Sequence, residues 1–278
     1  MDVSIIIVNY NTRKITADCI DSVFAKTEGV DFEVILVDNA STDGSKDQFE
    51  SDCRITYIYN KENVGFGRAN NIGYEKSKGK YIFLLNSDTL LLNNAILLFY
   101  NKLEGMPENV SCLGTILRDK DGHPCHSYGE FLEWRLLLPW HKIKEETINI
   151  PKNGLDVMYV LGADMFLRRS VIEKYGFFDP VFFMYHEEND LQRRYRNEGY
   201  VSKIILGPQI VHLEGKSNKN VINLRTIQGT FVYMNKWLSK PSYMLFRVCF
   251  ALTRLPRVIF IKAPFSERLK YIKLLLGL

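Results

Sequence analysis

The sequence predicts an α/β domain built on a mainly parallel sheet flanked by helices, and three observations carry the prediction. Short β-branched apolar runs recur through the first 117 residues. The stretches between them repeat apolar residues at helical spacing, and strands alternating with helices require parallel pairing with both sheet faces covered. Finally, clusters of Asn, Asp and Ser follow the strands on their C-terminal side. That is where ligands bind in open sheets of this kind.

The elements follow in order. VSIIIVN (3–9) is a first buried strand, and RKITADCIDSVFAKT (13–27) spaces Ile15, Cys19, Ile20, Val23 and Phe24 as a helix face. FEVILVD (32–38) is the second strand and DGSKDQFES (43–51) a short helix. RITYIYN (54–60), FGRANNIGYEKSKG (66–79), YIFLLN (81–86), NNAILLFYNKLE (93–104) and VSCLGTIL (110–117) continue the alternation of strand and helix. Residues 118–155 have no clear period, and their Pro, Gly, His and Trp suggest excursions over the cleft. VMYVLGADMFLRRS (157–170) reads as one strand, with Ser170 capping a helix over VIEKYG. An aromatic loop then runs into a helix over 177–200, VSKIIL and QIVHL are short strands, and the pattern is helical from about 221.

Bulk properties narrow the class. A chain of 278 residues with 46% apolar and 24% charged content is globular, as one large domain or two small ones. Five scattered cysteines form no CxxC pair and read as reduced thiols in the cytoplasm. The start, MDVSIIIVNYN, reads as a first strand and not a signal peptide, and no apolar run reaches the ~20 residues a membrane span needs. The net charge of +4 is uneven: from Lys240 onward eight Lys/Arg face one acid, +7, which leaves −3 for residues 1–239.

The polar clusters carry the chemistry. In YIFLLNSDTLLL (81–92), Asn86-Ser87-Asp88 interrupts an apolar run at a strand end. A turn or helix cap explains the tripeptide alone; a metal or phosphate site explains it together with its neighbours. Asn9 and Asn11 follow strand one, Asp38 ends strand two, and Asn63 to Asn71 follow strand three. Four loops therefore bring amides and carboxylates toward one crevice. NVGFGRANNIG narrowly misses GxGxxG, because Asn70 stands at the third glycine. It also follows strand three, which argues against a nicotinamide-binding fold.

The chain resembles the family 2 glycosyltransferases of the GT-A fold, most closely the rhamnosyltransferase-like bacterial members. The resemblance rests on SIIIVNYN, VILVDNASTDGS, NVGFGRANNIG, LLNSDT, GADMFLRR, FFDPVFFMYHEENDLQRR and VHLEGKS, in that order, over about residues 3–217. It implies an inverting transfer from a nucleotide diphosphate sugar, dTDP-rhamnose or a UDP-hexose, to a hydroxyl of a surface polysaccharide or lipid-linked oligosaccharide. It also implies Mg²⁺ or Mn²⁺ as cofactor, with Asp88 as ligand and Asn86 assisting. His212 is either a further ligand or a structural histidine. Asp38 is expected on the base or ribose, with an Asx-turn as the alternative. Asn9, Asn11, Asn63, Gly65, Arg68 and Asn70 are expected around the nucleotide, with Arg68 equally a solvated side chain. Gly162 and Asp164 are expected at the sugar.

HEEND places Glu187, Glu188 and Asp190 at a helix start. Crowding raises the pKa of one of a set of carboxylates, while a helix N-terminus favours anions. Aligned with the family motif, Glu188 holds the position of the base, with Glu187 and Asp190 organising the site; the bland reading is an acidic first turn. The boundaries expected are a transferase domain over 1–220, halved at 117/118, and a helical basic extension over 221–278. Lys/Arg mixed with large apolar residues in that extension suit an anionic membrane surface, and no nucleic-acid motif accompanies them. A packed helix with a solvated basic face is the alternative. Two other functions are a sugar nucleotidyltransferase, which wants a glycine-rich loop after strand one where VNYNTRK has none, and a non-catalytic glycan- or membrane-binding module.

Overall fold

The computed structural model describes residues 1–133, 149–213, 223–258 and 264–277. The chain forms two compact units: Met1–Phe131 with Asn149–Pro180 and Glu187–Gly215, and Leu132–Ile148 with Val181–His186 and Lys216–Leu278.

In the first unit β1 (Val3–Asn9), β2 (Phe32–Asp38), β3 (Ile55–Tyr59) and β4 (Tyr81–Asn86) alternate with α1 (Arg13–Lys26), α2 (Ser45–Phe49) and α3 (Phe66–Lys76). After β5 (Thr89–Leu91) come α4 (Ala95–Glu104), β6 (Val110–Thr115), β7 (Tyr128–Gly129), β8 (Leu155–Val157), β9 (Tyr159–Val160) and β10 (Asp164–Arg168). The unit ends with α5 (Arg169–Tyr175), α6 (Glu187–Asn197), β11 (Val201–Ile205) and β12 (Ile210–His212). The main sheet has the order β3-β2-β1-β4-β10-β6-β11-β8.

Alternation along the strands feeds two apolar layers. Ile5, Ile7, Leu36 and Phe83 pack with Ile20 and Val23 of α1 and Phe99 of α4. Ile6, Ile35, Val37 and Leu84 pack on the other face with Ala69 of α3, Ile172 of α5 and Leu191 of α6. Burial on both faces is why these strands are continuous apolar runs. β1 pairs in parallel with both β2 and β4: the chain runs outward from β1 to β2 and β3, then crosses back to β4 on the other side of β1, so the order reverses at β1 and a crevice opens at its carboxyl end. The register sets Asn9 beside Asp38 and Val8 beside Asn86.

The structure corrects several expected elements. The run 157–170 is not one strand: it breaks into the end of β8, β9 and β10, with a turn at Gly162-Ala163. β10 runs antiparallel to β4 and β6. Ser170 is not a cap, because α5 starts at Arg169 with Arg168 at the cap position and no side-chain cap bond. The helix expected over 43–51 covers only Ser45–Phe49, entered through Gly44 at φ 82°. The leucines after Asp88 do not all return to the core: Leu91 is buried, whereas Leu92 is 47% exposed. Of the excursion expected over 118–155, residues 134–148 lie outside the described residues, as do 214–217 of VHLEGKS.

The second unit contains α7 (Leu224–Trp237), α8 (Lys240–Val258) and α9 (Phe265–Leu276). Phe231, Tyr233 and Met234 of α7 share a core with Phe246 and Phe250 of α8 and Tyr271 and Leu275 of α9. No helix among the described residues is long and apolar enough to cross a membrane.

Candidate active site at the carboxyl ends of the strands

The loops after β1 and β2 are knitted together by buried polar groups. Asn9 is fully buried and its amide is saturated: Nδ2 donates to Ser41 Oγ (3.1 Å) and Asp38 Oδ2 (3.4 Å). Its Oδ1 accepts from the hydroxyls of Thr12 (2.8 Å) and Thr16 (3.0 Å). Asp38, also fully buried, accepts from Ser41 N (2.8 Å) through Oδ1 and from Tyr57 Oη (2.9 Å) through Oδ2. The Asx-turn is therefore present, and with the Asn9 amide these bonds occupy three of the about four acceptor positions of the carboxylate. Asn11 stands at φ 54°, where its Oδ1 accepts from Thr42 N (2.7 Å) and its own N–H donates to Ser41 Oγ (2.9 Å).

After β3, Asn63 Oδ1 accepts from Gly65 N (3.0 Å), and Gly65 takes φ 89° to open α3. Only glycine adopts that conformation readily. Asn70 is buried and donates to Phe66 O (3.0 Å) within α3. Arg68 is exposed, and its Nε donates to Pro180 O (2.7 Å).

The Asn86-Ser87-Asp88 turn lies across the crevice from Thr12, whose hydroxyl is 3.3 Å from Ser87 Oγ. The two-stranded ribbon of β5 and β12 pairs His212 with Thr89, and Leu213 N donates to Asp88 O (2.8 Å). This ribbon carries His212 to the turn. Its Nε2 lies 3.2 Å from Asp88 Oδ1 and 3.4 Å from Asn86 Nδ2. One ring nitrogen cannot donate to Asp88 and accept from Asn86 at once. One imidazole nitrogen and one carboxylate oxygen 3.2 Å apart are atom types that suit a divalent cation, while Asn86 presents its amide nitrogen, which does not ligate. The buried Nδ1 of His212 has no hydrogen-bond partner among the described residues.

A second cluster opens α6. Glu187 is 4% exposed and its Oε2 has no partner among the described residues. Burial, reinforced by the Glu188 charge, raises its pKa well above the usual carboxylate range. Glu188 keeps some exposed surface, yet protein surrounds its carboxyl group closely enough that desolvation raises the pKa to about 6. Glu188 is thus the readier of the two to ionise near neutral pH. Asp190 does different work: fully buried, it pairs with Arg194 Nε (3.1 Å), which also donates to Tyr175 O and Phe177 O. Gly67 of α3 packs against the start of α6, where an added Cβ would lie 3.2 Å from Phe178 Cβ and 3.6 Å from Glu187 Cβ.

Gly162 turns the chain between β9 and β10, an added Cβ falling 3.2 Å from the Phe66 ring. Asp164 lies fully buried in the sheet, with Oδ2 accepting from Thr115 N (2.6 Å) and Oδ1 unpartnered among the described residues. Desolvation raises its pKa well above the carboxylate range. Burial thus favours its protonated form, and Oδ1 is the carboxyl oxygen without a partner among the described residues.

The glycosyl transferase family 2 model matches residues 4–176, well over half of the chain. The chain belongs to that family. It is 27% identical over 254 residues to the uncharacterized glycosyltransferase RP339 of Rickettsia prowazekii, covering 88% of this chain and 75% of that one. It is 28% identical over 205 residues to the low-salt glycan biosynthesis hexosyltransferase Agl10 of Haloferax volcanii, covering 71% of this chain and 62% of Agl10. In structure it resembles GalNAc-T7 solved with UDP, GalNAc and Mn²⁺, with a TM-score of 0.68 at 14% identity over 99% of this chain and 53% of that one. At that identity the likeness shows the fold, GT-A.

Within this family 2 fold, sequence reasoning missed several residues that hold the site. Tyr57 and Ser41 complete the shell of Asp38. Gln192 clamps α6 to β9 through both backbone groups of Val160, at 2.8 Å each, and also donates to Glu188 O (3.1 Å). Its place four residues after Glu188, on the same helix face, was the available signal. In the second unit Tyr185 and His186 both stand near φ 70°, immediately before Glu187 in the chain. α7 holds them: His186 Nε2 lies 3.0 Å from Thr230 Oγ1, and Gly229 approaches so closely that a Cβ would meet Tyr185 O at 2.8 Å. Burial lowers the His186 pKa to about 4, so the ring is neutral.

Proposed function

We propose that this protein is an inverting, metal-dependent glycosyltransferase that moves a sugar from a nucleotide diphosphate sugar to a hydroxyl of a surface polysaccharide or lipid-linked oligosaccharide. The observation that carries the reading is the convergence of Asn86, Asp88 and His212 at the crevice opened by β1 and β4. Asp88 and His212 hold the cation, Mg²⁺ or Mn²⁺, with Asn86 beside them. When bound, a divalent cation neutralises charge growing on the departing diphosphate.

The chain's own residues supply the rest. Asp38, Asn9 and Asn11 shape the base and ribose end of the crevice, and Asn63 and Gly65 bring the backbone of the α3 N-terminus toward the nucleotide. Arg68 and Asn70, on the same helix, complete the nucleotide side of the crevice. Gly162 and Asp164 border the sugar. Glu188 accepts the acceptor's proton as its oxygen bonds to the anomeric carbon. The bond from that carbon to the diphosphate oxygen breaks in the same displacement, and the nucleoside diphosphate leaves with the electron pair. Glu187 keeps its own proton and Asp190 fixes the helix, so one base serves the step. A Glu188 pKa of about 6 leaves this base ionised at neutral pH.

In this reading residues 1–220 form the transferase domain, with a nucleotide half over 1–117 and an acceptor half over 118–220, and 221–278 form the extension. The likeness to RP339 supports a bacterial setting, with action in the cytoplasm at the inner face of the cell membrane. dTDP-rhamnose and a UDP-hexose fit the same sequence motifs as donor, and the name of Agl10 supports a hexose.

A thermal-shift panel of UDP, dTDP, GDP and ADP, each with Mn²⁺, Mg²⁺ or EDTA, tests the site. A nucleotide at 100 times its dissociation constant adds about 2.7 kcal/mol. Stabilisation by one pyrimidine diphosphate that needs metal and disappears in Asp88→Ala is the expected result. No shift with any nucleotide refutes the donor site.

A further inference from the structure

The described residues include 17 large hydrophobic side chains that are exposed, and seven of them lie in α8 and α9. On α8 these are Met244, Leu245, Val248 and Leu252, with exposures of 57–68%. Residues i, i+1, i+4 and i+8 fall on one side of a helix. On α9 they are Phe265, Leu269 and Leu276, again one stripe, and Phe265 is 78% exposed. The opposite faces are already occupied, because Phe246 and Phe250 of α8 and Tyr271 and Leu275 of α9 fill the core shared with α7. Each helix thus has two apolar faces, where a helix packed on a water-soluble unit needs one.

The two stripes belong to one surface element. Arg247 of α8 donates to the Leu274 and Leu275 carbonyls at the end of α9, at 3.1 Å each, and stacks 4.1 Å above the Phe231 ring. Exposed Lys240 precedes the α8 stripe, and exposed Lys270 and Lys273 flank that of α9. The segment from Lys240 onward has a charge of +7 with Glu267 as its sole acid. A solvated basic face would put lysines outward and leucines inward. Here large apolar side chains and cations point outward together.

We propose that the outward stripes of α8 and α9 are a docking face for a lipid bilayer carrying anionic headgroups. Met244, Leu245, Val248, Leu252, Phe265, Leu269 and Leu276 enter the headgroup–acyl boundary, and the lysines meet the headgroup charge. Both helices lie in the interface plane, consistent with neither being apolar enough to cross. The proposal deepens the reading of a peripheral enzyme acting on a lipid-linked acceptor, but the binding event itself stands apart from the sugar chemistry.

The test is vesicle flotation with the full chain. Phosphatidylcholine vesicles are compared with phosphatidylcholine–phosphatidylglycerol vesicles, at low and high salt. The protein is expected to float with the anionic vesicles at least about tenfold more than with the neutral ones, and less at high salt. Leu245→Ser/Leu252→Ser/Phe265→Ser is expected to lose about tenfold or more of that binding, and Lys240→Gln/Lys270→Gln/Lys273→Gln to lose it on anionic vesicles only. All the changed side chains are exposed, so both variants should melt as the wild type does and keep its nucleotide-induced shift. Nucleotide binding without flotation overturns the docking face and leaves the transferase reading intact; flotation without nucleotide binding does the reverse. Unchanged flotation of the triple serine variant overturns the proposal. So does light scattering that shows a dimer abolished by that variant with no vesicle binding, which assigns the stripe to self-association.

Discussion

Replacing Glu188 by Gln should make the protein more stable while abolishing its activity. Desolvation raises the Glu188 pKa from its ordinary 4.5 to about 6. The native state therefore holds its proton more tightly than the unfolded chain does. The sign follows: stability falls as pH rises through the window between these values, and the full cost is present above the folded value. A shift of about 1.5 units corresponds to about 2 kcal/mol at pH 7.5, and to about 0.8 kcal/mol at pH 5, where ionisation is partial in both states. Glutamine keeps the shape and cannot ionise. Glu188→Gln should gain roughly those amounts, measured by urea unfolding at the two pH values. Below about pH 4.5 the gain should vanish. Sugar transfer should be lost while nucleotide-induced stabilisation survives. In the wild type, kcat/KM should fall about tenfold per pH unit below 6. A mutant no more stable at pH 7.5, or equally more stable at both pH values, refutes the desolvation argument. Turnover at the wild-type rate refutes the role as base.

Two substitutions probe the scaffold. Gly73→Ala places a Cβ 2.6 Å from Ile6 Cγ2 and 3.2 Å from Val37 Cγ2. Overpacking of about 1–3 kcal/mol should exceed the ~1 kcal/mol that Ala gains in a helix, so urea unfolding should show a net loss, and a neutral result would mean the β1–α3 contact is loose. Gly229→Ala brings a Cβ to 2.8 Å from Tyr185 O and 3.0 Å from Met184 O, neither of which can yield without moving the strained 184–186 backbone. Turnover should drop severalfold or more with nucleotide affinity unchanged, and equal loss of both would assign α7 a purely structural part.

The first 117 residues were legible because their determinants are local. Period-two burial of β1, β2 and β4 on two faces makes each an apolar run, and the polar residue at each carboxyl end marks where the run stops. The same pattern puts Asn86 and Asp88 at the end of a strand, and HEEND puts three acids in one helical turn; it is their company with the other strand-end groups that makes them site candidates. The 157–170 run misled because an apolar stretch has no period that reveals a break. Gly162-Ala163 turns it, and β10 reverses direction in the sheet.

Other features exist only in three dimensions. His212 reaches Asp88 because β12 pairs with β5 across more than a hundred residues, and no spacing in the sequence encodes that ladder. Asn9 and Asp38 look like free ligands in a string of letters, yet the β1–β2 register sets them side by side and ties them to Ser41, Tyr57 and each other. The burial of Asp164 is likewise set by the sheet, which desolvates its carboxyl group and raises its pKa. The sequence by itself determined the alternation of strand and helix over the first 117 residues, the family, and which polar residues stand at the ends of β1, β2 and β4, since burial pattern and turn chemistry act between near neighbours. Which of those groups remain available for a ligand, and which are spent holding the fold, was decided by long-range pairing and by the desolvation that comes with it.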